Sequence, residues 1–132
     1  MGNVITLFNP ISKTKKKVTL NKSINGNADS ISVGNRIFII GGYPVTGEMY
    51  EVDFQNNLLI QKETMLTPKH DHTLCYANDF IYSIGGHNGL TTVSNYEKYS
   101  VDQNNWKALP ALQTARRLCA AFTWNGLLLM WD

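Results

Sequence analysis

The sequence predicts an all-β protein assembled from repeated four-stranded antiparallel units. Three observations carry this expectation. Asn35-Arg36-Ile37-Phe38-Ile39-Ile40-Gly41-Gly42-Tyr43 and Asn78-Asp79-Phe80-Ile81-Tyr82-Ser83-Ile84-Gly85-Gly86-His87 share one grammar: a polar turn, a short apolar strand and a glycine pair. The two glycine pairs lie 44 residues apart, and Trp124-Asn125-Gly126-Leu127-Leu128-Leu129-Met130 begins the pattern a third time. Finally, no stretch sustains a helical period, whereas short β-branched and aromatic runs alternate with turn residues throughout.

Taken in order, Val4 to Phe8 is apolar and β-branched, so it reads as a strand that Asn9-Pro10 ends. Lys17 to Leu20 resumes a polar/apolar alternation, and the polar stretch from Asn21 to Asp29 reads as loop. Ser30 to Val33 and Ile37 to Ile40 form a pair of strands around Gly34-Asn35-Arg36. Glu48 to Asp53 and Leu58 to Gln61 follow, separated by Gln55-Asn56-Asn57. Thr67-Pro68-Lys69 breaks the chain, and the cycle restarts with Thr73 to Tyr76, Phe80 to Ile84, Val93 to Tyr99 and Trp106 to Leu109. Gln103-Asn104-Asn105 repeats the earlier turn 48 residues on. Leu118 to Thr123 and Leu127 to Met130 complete the series. Four strands per period of 44 to 48 residues are the signature of propeller blades.

Within the second unit, Tyr96-Glu97-Lys98-Tyr99-Ser100-Val101-Asp102-Gln103-Asn104-Asn105-Trp106 follows the Gly85-Gly86 pair. A glycine pair closing the second strand, then Tyr99, then Trp106 after six residues, closely resembles the kelch repeat. In the unit centred on Gly41-Gly42, Val52 and Leu59 take the Tyr and Trp places. The resemblance implies a kelch β-propeller of about three blade-equivalents: residues 4–20 as half a blade, 30–62 and 73–109 as whole blades, and 118–132 as another half. Alone, such an arc leaves sheet edges exposed, and propellers close with roughly four to eight blades. The expectation is an incomplete propeller whose further blades come from a longer chain. Assembly of several chains is the alternative.

Composition narrows the function. Hydrophobic residues make up 43% and charged residues 17% of the chain, which fits a folded domain. The formal net charge is +2, but Lys13, Lys15, Lys16 and Lys17 supply four of the twelve positive charges. The remaining body is slightly acidic, so a nucleic-acid partner is not expected. No apolar run has the length to span a bilayer, and no secretory pattern opens the sequence, which gives a cytoplasmic expectation. Met1-Gly2-Asn3-Val4-Ile5-Thr6 fits an acylation pattern with a basic turn behind it, but Val4 to Phe8 reads more simply as a buried strand. Cys75 and Cys119 lie 44 residues apart, each after a leucine, and read as one small apolar core position used twice.

Chemistry-bearing motifs are sparse. His70-Asp71-His72 is the strongest metal-like cluster, yet neither a third nor a fourth ligand is near in sequence; we read it as an exposed loop before an inner strand. Gly41 to Gly47 lacks the Lys-Ser/Thr of a phosphate loop, and no Gly-x-Ser-x-Gly occurs. No cofactor, no metal and no enzymatic activity are expected. The alternative is a fragment similar to galactose oxidase, whose copper would need histidines and tyrosines such as His70, His72 and Tyr76.

The kelch resemblance implies a protein or peptide partner bound by loops on one face. It places Tyr43, His87 and Asn88 in the loops after the glycine pairs, and Lys69, His70, His72, Arg116 and Arg117 in the loops entering the first strands. Gly41, Gly42, Gly85, Gly86, Tyr99 and Trp106 are structural. The family also implies roles in scaffolding, in cytoskeletal assembly or in substrate recognition for ubiquitin ligases. The ligase role requires BTB and BACK domains, which these residues do not contain.

Overall fold

The computed structural model describes residues 2–131, with the backbone alone for Trp131. Met1, which opens the acylation-like pattern, and Asp132, the expected end of the last half blade, lie outside the described residues. Twelve strands and no helix occur among them: β1 (Gly2–Phe8), β2 (Lys15–Ile24), β3 (Asp29–Val33), β4 (Arg36–Ile40), β5 (Met49–Asp53), β6 (Leu58–Lys62), β7 (Thr73–Ala77), β8 (Phe80–Ile84), β9 (Tyr96–Ser100), β10 (Asn105–Ala108), β11 (Ala120–Trp124) and β12 (Leu127–Trp131). Each sequence-predicted strand is present, Phe80 to Ile84 with the expected ends and the others with ends moved by one to four residues; three of these shifts have a clear structural setting. β2 runs on to Ile24, into the stretch expected as loop. β9 begins at Tyr96 because Val93 is bound to the glycine loop, its N–H donating to Gly86 O at 2.9 Å. β11 begins at Ala120 because Leu118, at φ 53°, has left-handed backbone that a strand cannot hold.

The strands form four antiparallel sheets: β1-β2, β3-β4-β5-β6, β7-β8-β9-β10 and β11-β12. Sheet packs on sheet in sequence order, with β2 against β6, β3 against β7, and β7 against β11 and β12. This is an incomplete propeller. β7 and β11 meet as inner strands, β2 and β6 as outer ones.

Two apolar layers between sheets hold the arc together. Phe38, Ile40, Met49 and Met65 pack with Leu74, Ile81, Tyr99 and Trp106 between the two whole blades. Val18, Leu20, Ile39, Tyr50, Val52 and Leu59 form the layer between β1-β2 and the first whole blade. The period of two explains the division. Ile37, Ile39, Tyr50 and Val52 point to one side of their sheet, and Phe38, Ile40 and Met49 to the other. Register places Tyr99 opposite Trp106 and Val52 opposite Leu59, so the two blades use the same paired position. The Tyr99 and Trp106 rings lie 5.2 Å apart, within the range where aromatic pairs attract beyond their area.

Cys75 is buried, as expected of a core position, whereas Cys119 is only partly covered; both are free thiols. Polar bonds reach them from neighbouring sheets. Thr73 Oγ1 donates to Cys119 O at 2.7 Å, and Thr123 Oγ1 lies 2.9 Å from Cys75 Sγ while donating to Tyr76 O at 2.7 Å. Asp29 Oδ2 accepts the Leu74 N–H at 3.2 Å between the whole blades.

Candidate binding face

Because each strand reverses the last, the loops after β4 and β8 and those entering β3, β7 and β11 all leave the sheets at one end. The hairpin turns, including the Lys13 to Lys17 turn, leave at the other. The glycine pairs are where the two loop types touch. Gly42 N–H donates to Lys69 O at 3.1 Å, and Gly86 N–H donates to Arg116 O at 2.8 Å. Gly85 sits at φ 60° directly under Arg116, and a Cβ there would collide with the Arg116 carbonyl oxygen. Lys69 and Arg116 therefore hold equivalent posts, each carbonyl seated on the preceding glycine pair.

One step outward, the loops pair within each blade. Tyr43 N–H donates to Gly26 O at 2.6 Å, and His70 and His87 exchange N–H···O bonds of 3.1 and 2.8 Å. This pairing gathers three rings from two blades. Tyr43 stands edge-on to His70 at 5.6 Å, and His70 lies 5.3 Å from His87. Tyr43 is 59% exposed, so the cluster opens to solvent. Asp71 Oδ2 lies 3.0 Å from His70 Nδ1. Arg117 is exposed and Arg116 half-buried beside Gly85. Asn88 shapes its own loop, since Oδ1 accepts the N–H groups of Leu90 and Thr91.

Lys69 and His72 depart from the sequence expectation. Lys69 is 0% exposed and His72 5%, so neither belongs to the contact surface. The reason is the blade junction. The chain entering β7 threads between Gly41-Gly42 and Gly86, and a Cβ on Gly41 would meet the His72 ring at 2.6 Å. The expected exposed loop is thus largely covered, with the His70 side chain 12% exposed and His72 inside. The Lys69 ammonium faces Glu97 at 3.9 Å, and Glu97 Oε1 accepts the Thr67 N–H at 3.4 Å. Burial pulls the Lys69 pKa down to about 8 against the restoring charge of Glu97, and burial raises that of Glu97. Burial, then the neighbouring Lys69 and His70, lowers that of His72 to about 3, so His72 is neutral at physiological pH.

The buried pair escaped the sequence reading although a signal was present. Glu97 lies two residues before Tyr99 on β9, hence on the same inward face, and a carboxylate there needs a cation. His70 stacks on the rim while His72 turns into the junction, and the described residues contain no group of three or more His, Cys, Asp or Glu able to hold an ion.

The Kelch motif family matches residues 68–113, which span the approach loop, all four strands of the second whole blade and the Tyr99–Trp106 pair. Residues 68–113 are a kelch repeat. Kelch repeat and BTB domain-containing protein 2 of cowpox virus (strain GRI-90 / Grishak) is 31% identical over 93 residues, covering 67% of this chain and 17% of that protein. The counterpart in ectromelia virus (strain Moscow) is 29% identical over the same length. Kelch-like protein 7 of Rattus norvegicus is 39% identical over 44 residues, covering 33% of this chain and 8% of that protein. The kelch chain thus spans about a sixth of the length of the viral relatives. Among solved structures, YjhT superposes with a TM-score of 0.75 at 16% identity, over 86% of this chain and 35% of that one, a likeness of fold.

Proposed function

We propose that this kelch arc is a protein-interaction module whose glycine-loop face binds a peptide segment of a partner protein. The observation that carries the reading is the meeting of Tyr43, His70 and His87 in one cluster drawn from two blades, which the exposed Tyr43 ring opens to solvent. Rigid aromatic rings on a backbone-fixed rim lose little entropy on binding, and Tyr and Arg are enriched at interface hot spots. Arg116 and Arg117 add positive charge on the same end of the sheets, and arginine can clamp a carboxylate with two parallel hydrogen bonds. An acidic or hydrogen-bonding peptide suits this surface.

At the level of a whole protein, we read the arc as the recognition element of a scaffold or of a ligase adaptor. The viral relatives carry a BTB domain in their names together with kelch repeats, which supports the adaptor form. The test is affinity capture of partner proteins by the wild-type chain, by Tyr43→Ala and by the double variant Arg116→Ala/Arg117→Ala, each checked for folding by circular dichroism. Loss of the same captured proteins in both variants supports the rim; undiminished recovery with both refutes it.

A further inference from the structure

The loop after β8 is held together by bonds among five consecutive residues, His87-Asn88-Gly89-Leu90-Thr91. Asn88 N–H donates to Thr91 O at 3.1 Å and closes the loop. Asn88 Oδ1 accepts the N–H groups of Leu90 and Thr91, both at 2.9 Å. Those bonds fold the Asn88 carboxamide forward along the chain, across the Gly89 amide that lies between. The Gly89 N–H in turn donates to His87 Nδ1 at 3.1 Å. Gly89 holds φ 95°, which a residue with a Cβ rarely adopts, and it carries no side chain to shield its nitrogen.

Each of these contacts has a chemical meaning. An asparagine followed by glycine can close on itself, the glycine nitrogen attacking the side-chain carbonyl carbon to form a five-membered imide. Two things oppose that step. The amide nitrogen is a poor nucleophile while it keeps its proton, and Oδ1 gathers negative charge as the tetrahedral carbon forms. Here an unprotonated imidazole nitrogen already accepts the proton that must leave, within the reach of a general base. Two backbone N–H groups already point at the oxygen, at oxyanion-hole distances. Nucleophile and carbonyl are neighbours in one closed loop, so no encounter has to be arranged.

We propose that Asn88 is a site of self-catalysed deamidation, with His87 as the base. Gly89 N bonds to Asn88 Cγ while its proton passes to His87 Nδ1. The proton is handed on to Asn88 Nδ2, the Cγ–Nδ2 bond breaks and ammonia leaves. Solvent water then opens the imide at either carbonyl, leaving aspartate or isoaspartate in place of the asparagine. Gly89 is exposed and Leu90 is 92% exposed, so water reaches the imide. The product puts a negative charge one residue from His87, whose ring lies 5.3 Å from that of His70. The chemistry needs no partner, so it stands apart from the rim reading.

The chain carries its own controls. Asn25-Gly26 and Asn125-Gly126 are the same dipeptide, preceded by Ile24 and Trp124 where Asn88 has a histidine. The test is peptide mapping by mass spectrometry of the full chain held folded at neutral pH, following all three sites. Asn88 should convert at least about tenfold faster than the other two, since a positioned base contributes about 10²–10⁴-fold. His87→Phe keeps a ring but no acceptor, and should bring Asn88 down to the rate of Asn125 while leaving the other two sites unchanged. In urea, where the loop is undone, the three wild-type rates should draw together. An Asn88 no faster than Asn125 overturns the proposal, as does a folded variant that reacts like wild type. A preference for Asn88 that survives in urea also overturns it, because local sequence alone would then be the cause. Where the variant does not fold, the folded and urea rates of the wild type decide.

Discussion

The indole N–H of Trp106 donates to the carbonyl oxygen of Glu63 at 2.9 Å, tying the outer strand of one whole blade to the segment that leaves the other. The kelch tryptophan thus works twice. It stacks on Tyr99 within its blade and caps the chain as it exits β6. Asn104 reinforces the link, since its Oδ1 accepts both the Tyr99 hydroxyl at 2.6 Å and the Glu63 N–H at 3.0 Å.

Trp106→Ala should lower unfolding stability by about 3–5 kcal/mol, the usual cost of emptying a large buried aromatic site. Trp106→Phe should retain most of the packing and lose about 1 kcal/mol through the orphaned Glu63 carbonyl. Urea denaturation followed by circular dichroism separates the two. Equal losses would show that the hydrogen bond contributes nothing.

The buried pair predicts an asymmetry. Glu97→Ala leaves the Lys69 ammonium buried without a counter-charge and should cost about 3–5 kcal/mol, whereas Lys69→Met together with Glu97→Leu should come close to wild type. Denaturation midpoints at pH 7 check both. A double variant as unstable as the single would show that the ions themselves hold the junction.

Gly85→Ala should destabilise the second whole blade even though it adds one methyl group. The position needs left-handed backbone, which costs of order 1–3 kcal/mol in a non-glycine residue, and the methyl strikes the Arg116 carbonyl. Loss of the Gly86–Arg116 hydrogen bond, seen as faster exchange of the Gly86 amide, is the local readout. Unchanged exchange with unchanged stability would contradict the close approach.

His72 predicts acid sensitivity. Its folded pKa of about 3 lies below the ordinary 6.5, so between these values the unfolded chain binds the extra proton. The contribution to stability is whole above pH 6.5 and is lost as pH falls toward 3, with a slope of at most about 1.4 kcal/mol per pH unit. Asp29 and Glu97, whose pKa values burial raises, act in the opposite direction, so the comparison must be with a variant. His72→Gln should flatten the decline between pH 6.5 and 4.5. Parallel curves for wild type and variant would rule His72 out as the source.

Strand positions and blade register were legible because each depends on local chemistry. Glycine pairs, Asn-rich turns and alternation of apolar residues are printed in the chain at short range. Burial at the junctions was not. Lys69 and His72 look like loop residues in sequence, and only the crossing of Gly41-Gly42 and Gly86 over them, made by contacts dozens of residues apart, removes them from solvent. The meeting of Tyr43 with His70 and His87 is likewise a product of register between neighbouring loops. Sequence named all three but could not say that they touch.

The bonds at Gly42 and Gly86 between blades, and at Tyr43 within one, run from backbone to backbone. The identity of the side chains above them is therefore nearly silent to the scaffold. A lineage can exchange Tyr43, His87 or Arg117 for other residues, one blade at a time, and retain the same platform. Divergence among kelch arcs should accordingly concentrate at these rim posts while the glycines beneath stay fixed, which makes the face a surface on which partner choice can drift without the fold having to be reinvented.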